Sequence, residues 1–274
     1  MTSDATPVEA LVKRERLIIT AGLISITGLA WWWLLNGAGT GMSVMAMTTW
    51  SFPPPIHAPF VEDWSAGYAI LMFLMWWIMM IAMMTPSAAP LILLYARAYR
   101  YEQKLGKIGA AVAPTQAFLL GYLASWMVFS AAATLLQWGL ERAGLVHAML
   151  MWSIVPAFSG MLLVAAGLYQ FSPLKNACLA QCRSPAQFLA ENFRSGVWGA
   201  CRMGFKHGLF CLGCCWALMA LLFVGGAMNL VWIAGLTILV LIEKIAPGGY
   251  IIARTAGVLM IAAGMWVLAS PLIG

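Results

Sequence analysis

Charge is scarce in this chain. Only 9% of its 274 residues are Asp, Glu, Lys or Arg, while 63% are hydrophobic, and the mean hydropathy is +0.88. Soluble domains carry about 25% charged residues, so the composition excludes one and implies a polytopic membrane protein. Acid is scarcer than base, nine residues against fifteen. The resulting +6 is too thinly scattered to form a nucleic-acid-binding stripe, and membrane topology accounts for it better. Histidine is nearly missing: three residues are too few for a His-rich catalytic copper centre, which counts against an oxygenase. There is no CxxCH for covalent haem, no glycine-rich phosphate loop, no HExxH, and no Ser/His/acid set in a recognisable context. No internal repeat of the transporter kind stands out. Without a nucleotide-binding domain, active transport by this chain would need an ion gradient, a partner, or downhill transfer to a soluble chaperone.

Long apolar runs are abundant. A bilayer-spanning helix needs about 20 apolar residues, and seven stretches approach this: 17–35, 64–95, 112–140, 146–170, 208–226, 229–242 and 251–273. The expected fold is therefore all-α, a bundle of about seven transmembrane helices. Residues 1–16 read as a cytoplasmic tail and 17–274 as one transmembrane domain. The first run is followed by Trp31, Trp32 and Trp33 where a secretory signal would have a small-residue cleavage site, so it reads as an uncleaved first helix. Pro86 and Pro90 should kink the second span and free backbone groups that need other partners. The connection 171–206 carries a short amphipathic segment containing cysteine.

With the N-terminus inside, fourteen of the fifteen basic residues fall in cytoplasmic segments and only Arg142 falls outside. So strong a bias favours this orientation over its inverse. It places Cys178, Cys182 and Cys201 at the cytoplasmic side and Cys211, Cys214 and Cys215 in the inner leaflet, where reduced thiols are expected.

Three clusters carry potential chemistry. In HGLFCLGCCWALM, helical steps put His207, Cys211, Cys214, Cys215 and Met219 at about 0°, 40°, 340°, 80° and 120°, so one face holds only soft or borderline metal ligands. Burying thiol and imidazole together calls for a cause. Metal binding, close packing of small residues and thiol redox chemistry each supply one. In SPLKNACLAQCRSP, Cys178 and Cys182 lie one turn apart, with Lys175 and Arg183 placed to favour thiolate; the same basic residues would also anchor an amphipathic segment to anionic lipid. In MFLMWWIMMIAMM, Met72, Met75, Met79, Met80, Met83 and Met84 cover about half of the helix circumference, either as a thioether face or as core and lipid-facing filler. Met83, Met84 and Met219 lie at comparable distances from their basic stops, so the Cys and Met faces are expected at a similar depth. If they meet, the donors form a ladder extended outside by Met42, Met45, Met47 and His57. Thiolate and thioether together select Cu(I), with zinc at the Cys/His cluster as the alternative.

These stretches, WSAGYAILMFLMWWIMMIAMMTPSAAPLILLY, SPLKNACLAQCRSPAQF and HGLFCLGCCWALMALLFVGGAMNLVW with VLIEK after them, resemble the bacterial family of predicted metal-binding integral membrane proteins, domain of unknown function 2182. The resemblance runs from about residue 64 to 244 and into the last span. It implies a multi-span protein that binds metal through Met79, Met83, Met84, Cys178, Cys182, His207, Cys211, Cys214 and Cys215, with Pro86 and Arg183 also in the pattern, and no established reaction.

The expected function is Cu(I) handling, by transport, delivery or storage, in a multi-pass protein of the bacterial inner membrane, with no catalytic residue assigned. Its ligands are drawn from His207, Cys211, Cys214, Cys215, Cys178, Cys182, Met79, Met80, Met83, Met84 and Met219. The expected partners are the lipid bilayer, a soluble metallochaperone or another membrane subunit, or further copies of the chain, and not nucleic acid. The alternatives are a membrane thiol or haem-linked oxidoreductase and an assembly subunit of a membrane complex.

Overall fold

The structure is a computed structural model that describes residues 7–55, 63–108 and 113–270. Among the described residues every long element is a helix: α1 (Pro7–Leu35), α2 (Ala66–Lys104), α3 (Thr115–Arg142), α4 (Pro156–Tyr169), α5 (Pro173–Arg183), α6 (Pro185–Asn192), α7 (Gly196–Ala220), α8 (Leu222–Gly225), α9 (Leu230–Ile245) and α10 (Gly249–Ala269). Among the described residues, strand pairing is confined to one isolated bridge between Val146 and Ser153.

Seven spans were expected, and among the described residues five helical segments are long and apolar enough to cross a membrane: Arg16–Leu35, α2, α3, Gly196–Gly225 and α10. A sixth is reached if α4 and α5, bent by 63° at their junction, are taken as one. The difference lies in α4 and α9, with 14 and 16 residues. At 1.5 Å per residue they run only ~21 and ~24 Å, short of a hydrocarbon core of about 30 Å. The fourth apolar run begins with non-helical backbone. There the His147 ring accepts the N–H groups of Met149 and Leu150 (3.2 and 3.3 Å), Met151 adopts φ 55°, and the helix starts only at Pro156. The opposite difference appears in α1, α2 and α7, which begin earlier or end later than their apolar runs. Lys and Arg are good helix formers, so hydropathy marks where apolar surface stops and not where the backbone ceases to be helical.

Small residues set the closest helix contacts. A Cβ on Gly204 of α7 would collide with the Phe118 carbonyl of α3, and one on Gly121 of α3 with the Cys201 carbonyl of α7. Between α4 and α10, a Cβ on Gly167 would lie 2.7 Å from the Gly257 carbonyl oxygen, and one on Gly264 2.7 Å from that of Gly160. Both pairs are close crossings of the small-residue type. On α2, Pro86 has no N–H to give the Ala82 carbonyl, and the indole of Trp31 on α1 donates to that oxygen instead (3.2 Å).

The connecting segments gather in two layers. At one end the Asn229 amide donates to the Thr49 carbonyl (3.1 Å), the Leu230 N–H to the Thr48 hydroxyl (3.2 Å), and the Ala227 N–H to the Met151 carbonyl (3.2 Å). At the other end α5 is fastened beneath α9. Lys175 and Glu243, both buried, form an ion pair at 2.7 Å, the Gln170 amide donates to the second carboxylate oxygen (3.3 Å), and Arg183 donates to the carbonyls of Glu243 and Ala246. The Glu243 carbonyl belongs to the last turn of α9, whose carbonyls no further helical N–H can satisfy, and the Ala246 carbonyl follows directly after that turn.

Substitutions at four positions test these contacts by thermal unfolding in detergent. Gly204→Ala pushes a methyl group into backbone and should destabilise by about 1–3 kcal/mol, whereas Gly235→Ala on α9, where a Cβ meets nothing within 4 Å, should be neutral or stabilise by up to about 1 kcal/mol. Lys175→Met leaves the Glu243 carboxylate buried alone and should cost about 3–5 kcal/mol, and adding Glu243→Met should recover most of that loss.

Candidate metal centre

Helix α7 can bury its sulfur face because glycines bring α3 against it and α5 crosses beside it. His207, Cys211, Cys214, Cys215 and Met219 are all buried, so the face points into the bundle and not at its surroundings. All six cysteines are free thiols.

Cys211 is the meeting point. The Lys244 ammonium of α9 donates to its sulfur at 2.9 Å and to the Ser87 hydroxyl of α2 at 3.1 Å. The Tyr122 hydroxyl of α3 stands 3.1 Å from the same sulfur while donating to the Met84 carbonyl (3.1 Å). Cys214 and Cys215, one turn on, both donate their thiols to the Cys211 carbonyl (3.1 and 2.9 Å). Cys182 reaches in from α5 and interacts with the sulfurs of Cys211 and Cys214, and Cys215 interacts with the same two. His207 lies between Tyr122 (centroids 5.9 Å apart, stacked) and Phe188 of α6 (5.2 Å, edge-on). Its Nδ1 is buried and has no hydrogen-bond partner.

Cys178 is buried against α7, where a Cβ added at Gly213 would come within 2.6 Å of its sulfur. Lys175 and Arg183, expected beside the thiols of α5, are instead committed to Glu243 and to the end of α9. The positive charge next to sulfur comes from Lys244.

The methionine face of α2 also points inward: Met72, Met75, Met79, Met80, Met83 and Met84 are all buried. Its depth differs from the expected one. Met84 is level with Cys211, through Tyr122, and Trp76 is level with Phe223 beyond the end of α7, their rings 5.1 Å apart. The reason is that α7 starts at Gly196, so counting from its last basic residue misplaces it against α2. It is the Met84 main chain and the Ser87 side chain that approach the cysteines, by way of Tyr122 and Lys244. Among the thioethers, Met72 accepts from the Gln137 amide (3.5 Å) and Met47 from the Thr40 hydroxyl (3.9 Å). Met45 is exposed, Met42 half-buried, and His57 lies outside the described residues.

Sequence reasoning missed Lys244, Tyr122 and Ser87. Lys244 had a signal: it shares the otherwise apolar α9 only with Glu243, and an ionisable residue in such a helix marks a partner or a site. Tyr122 and Ser87 had none.

As they stand, no three His, Cys, Asp or Glu side chains among the described residues are arranged to hold a metal ion. Two thiols are turned to a carbonyl of their own helix and Lys244 covers the third. The donor types nevertheless fit a soft ion: several thiols side by side and a buried imidazole nitrogen with nothing to bond.

No curated protein and no solved structure matches the chain. A family match does name a metal. Residues 73–267, which contain every thiol of this cluster, match the model of PpoB2, described as a copper chaperone, and the chain belongs to that family.

Proposed function

We propose that the protein is a membrane-embedded copper chaperone that binds Cu(I) through Cys211 with Cys214, Cys215, Cys182 and His207 and passes it on by ligand exchange. The observation that carries this reading is the convergence of sulfurs and one ammonium on Cys211. Charge limits how many thiolates the centre can hold. A buried centre must be close to neutral. The Lys175–Glu243 pair is balanced in itself, which leaves the charge of Lys244. Cu(I) held by two of these thiolates carries one net negative charge and matches it; zinc on three thiolates and His207 would match it as well, so it is the softness of the sulfur-rich donor set that favours copper. Loading exchanges the thiol–carbonyl hydrogen bond of Cys214 or Cys215 for a bond to the ion and releases the protons of the two ligating thiols to solvent or an incoming carrier, and His207 Nδ1 gains the partner that it lacks.

The membrane setting follows the same reading. The two layers of connecting segments lie at opposite ends, and α4 and α9 run between them despite their length, so the chain crosses seven times in the bacterial inner membrane with its N-terminus in the cytoplasm. The basic residues support this orientation. Cys182 is only half-buried, and with Cys178 it forms the cytoplasmic approach, where a soluble metallochaperone would dock. The Met79, Met80, Met83 and Met84 face and Met219 line the route onward, a soft surface with weaker donors than thiolate.

Elemental analysis of protein purified in mild detergent tests the reading. Wild type should retain copper, with zinc at background, and Cys211→Ser/Cys214→Ser/Cys215→Ser should lose it; copper at background in wild type, or undiminished in the variant, sinks the proposal. Lys244→Met should weaken Cu(I) binding roughly ten- to hundredfold in a competition titration, the equivalent of about 1.5–3 kcal/mol for a charge-assisted hydrogen bond. Unchanged affinity would remove Lys244 from the centre.

A further inference from the structure

Helix α3 carries a buried polar stripe that leads away from the metal centre. Tyr122, Trp126, Ser130, Thr134, Gln137 and Glu141 fall at about 0°, 40°, 80°, 120°, 60° and 100° around it, on one side of the helix, and all are buried. Among the described residues no other helix buries as many Ser, Thr, Gln or Glu side chains. From Tyr122 to Glu141 the helix rises ~28 Å at 1.5 Å per residue, close to the roughly 30 Å of a bilayer's hydrocarbon core. This side of α3 meets the methionine face of α2 at both ends. At one end Tyr122 stands beside Cys211 and donates to the Met84 carbonyl. At the other the Gln137 amide donates to the Met72 sulfur (3.5 Å) and accepts the Trp76 indole (2.7 Å), while Glu141 accepts from Gln137 and from Trp64 (2.8 Å each). Met84 and Met72 are the two ends of that face, so the thioether and polar stripes run side by side.

Polar side chains inside a membrane bundle are costly, and they line the paths of ions. Here the hydroxyls do not tie α3 to its neighbour. Ser130 and Thr134 give their hydrogens to carbonyls one turn back on α3 itself (2.8 Å each), and the buried Trp126 indole N–H finds no hydrogen-bond partner among the described residues. What the hydroxyls offer the interface is oxygen lone pairs. A copper ion on thioethers keeps its positive charge, and oxygen dipoles on the facing wall favour a cation without adding a negative charge that would trap it. We infer that copper crosses the whole membrane between α2 and α3, from the thiol cluster to the Glu141 end, with thioethers on one wall and the polar stripe of α3 on the other. The inference deepens the proposed function and rests on it: the chain is then a conduit that releases copper on the far side, and not only a carrier that returns it to the side of entry.

The full chain reconstituted in liposomes tests this, with Cu(I) supplied outside as its glutathione complex and bathocuproine disulfonate trapped inside as the coloured probe. Wild type should fill the liposomes at least about tenfold faster than protein-free controls. Ser130→Ala/Thr134→Val keeps the shape of the stripe without its hydroxyls and should slow filling about tenfold, with copper bound per chain in detergent unchanged. Thr134→Ser, which keeps the hydroxyl, should fill at the wild-type rate. So should Thr255→Val, which removes a hydroxyl bonded in the same way on an exposed side of α10. Protein that binds copper in detergent yet fills liposomes no faster than the controls overturns the inference and leaves the chaperone reading standing. Filling that the double variant leaves unchanged, or that Thr134→Ser or Thr255→Val slows as much, also overturns it. Wild type that binds no copper in detergent refutes the chaperone reading and the inference with it.

Discussion

Two neighbouring residues near the end of α9, Glu243 and Lys244, hold the centre together. Residues adjacent on a helix point about 100° apart, so the pair reaches two directions from one turn. Glu243 reaches Lys175 on α5, and Lys244 reaches Cys211 on α7 and Ser87 on α2. Each is buried, and a buried charge without a partner costs several kcal/mol. The four helices therefore cannot shift independently: moving α5 strands Glu243, and moving α7 or α2 strands Lys244. Arg183 adds a second tie by satisfying the carbonyls with which α9 ends. The position of Cys182 against Cys211 and Cys214 is a consequence of these ties, since α5 has no other ionic anchor among the described contacts.

The cysteine face needs room as well as charge. Close approach of α3 and α7 at Gly121 and Gly204 brings Tyr122 to Cys211, and the absence of a side chain at Gly213 lets Cys178 lie against α7. The close-packing explanation of the Gly and Cys pattern and the metal explanation are thus not rivals. Small residues draw the backbones together, and that approach puts thiols from two helices within reach of each other.

Much of this was legible in the sequence. The helical class, the gathering of His207, Cys211, Cys214 and Cys215 on one helix face, and the neighbouring thiols of α5 follow from composition and from 100° steps, because both depend only on local geometry; that the face turns inward did not follow. The number of full-length spans did not follow. An apolar run records burial, and residues 146–148 and 151–154 are buried without being helical, so α4 came out long on paper and short in space. Depth along the bundle was misjudged for a related reason: basic residues were taken as helix ends, yet Arg202 and Lys206 sit inside α7. The partners of Cys211 were illegible because Tyr122 and Lys244 lie 89 and 33 residues away from it in the chain, and no local pattern records a contact of that separation.

The arrangement also limits what the centre can exchange with. Lys244 and Tyr122 link Cys211 to Ser87 and to the Met84 carbonyl, so polar groups join the thiol cluster to α2. In the proposed orientation, copper arriving from the cytoplasmic side meets Cys182 before it meets Cys211, while the way toward the methionines passes the residue that neutralises the site. In the proposed route an ion that leaves toward α2 separates from Lys244. Thioether binds Cu(I) without adding charge, so in the proposed route an ion in the methionine layer would keep its own positive charge and be held less firmly than among thiolates. A store would place its strongest ligands deepest and seal them. This chain places its thiols near one end with a half-buried cysteine leading in, an order that suits a protein that receives copper and gives it up again.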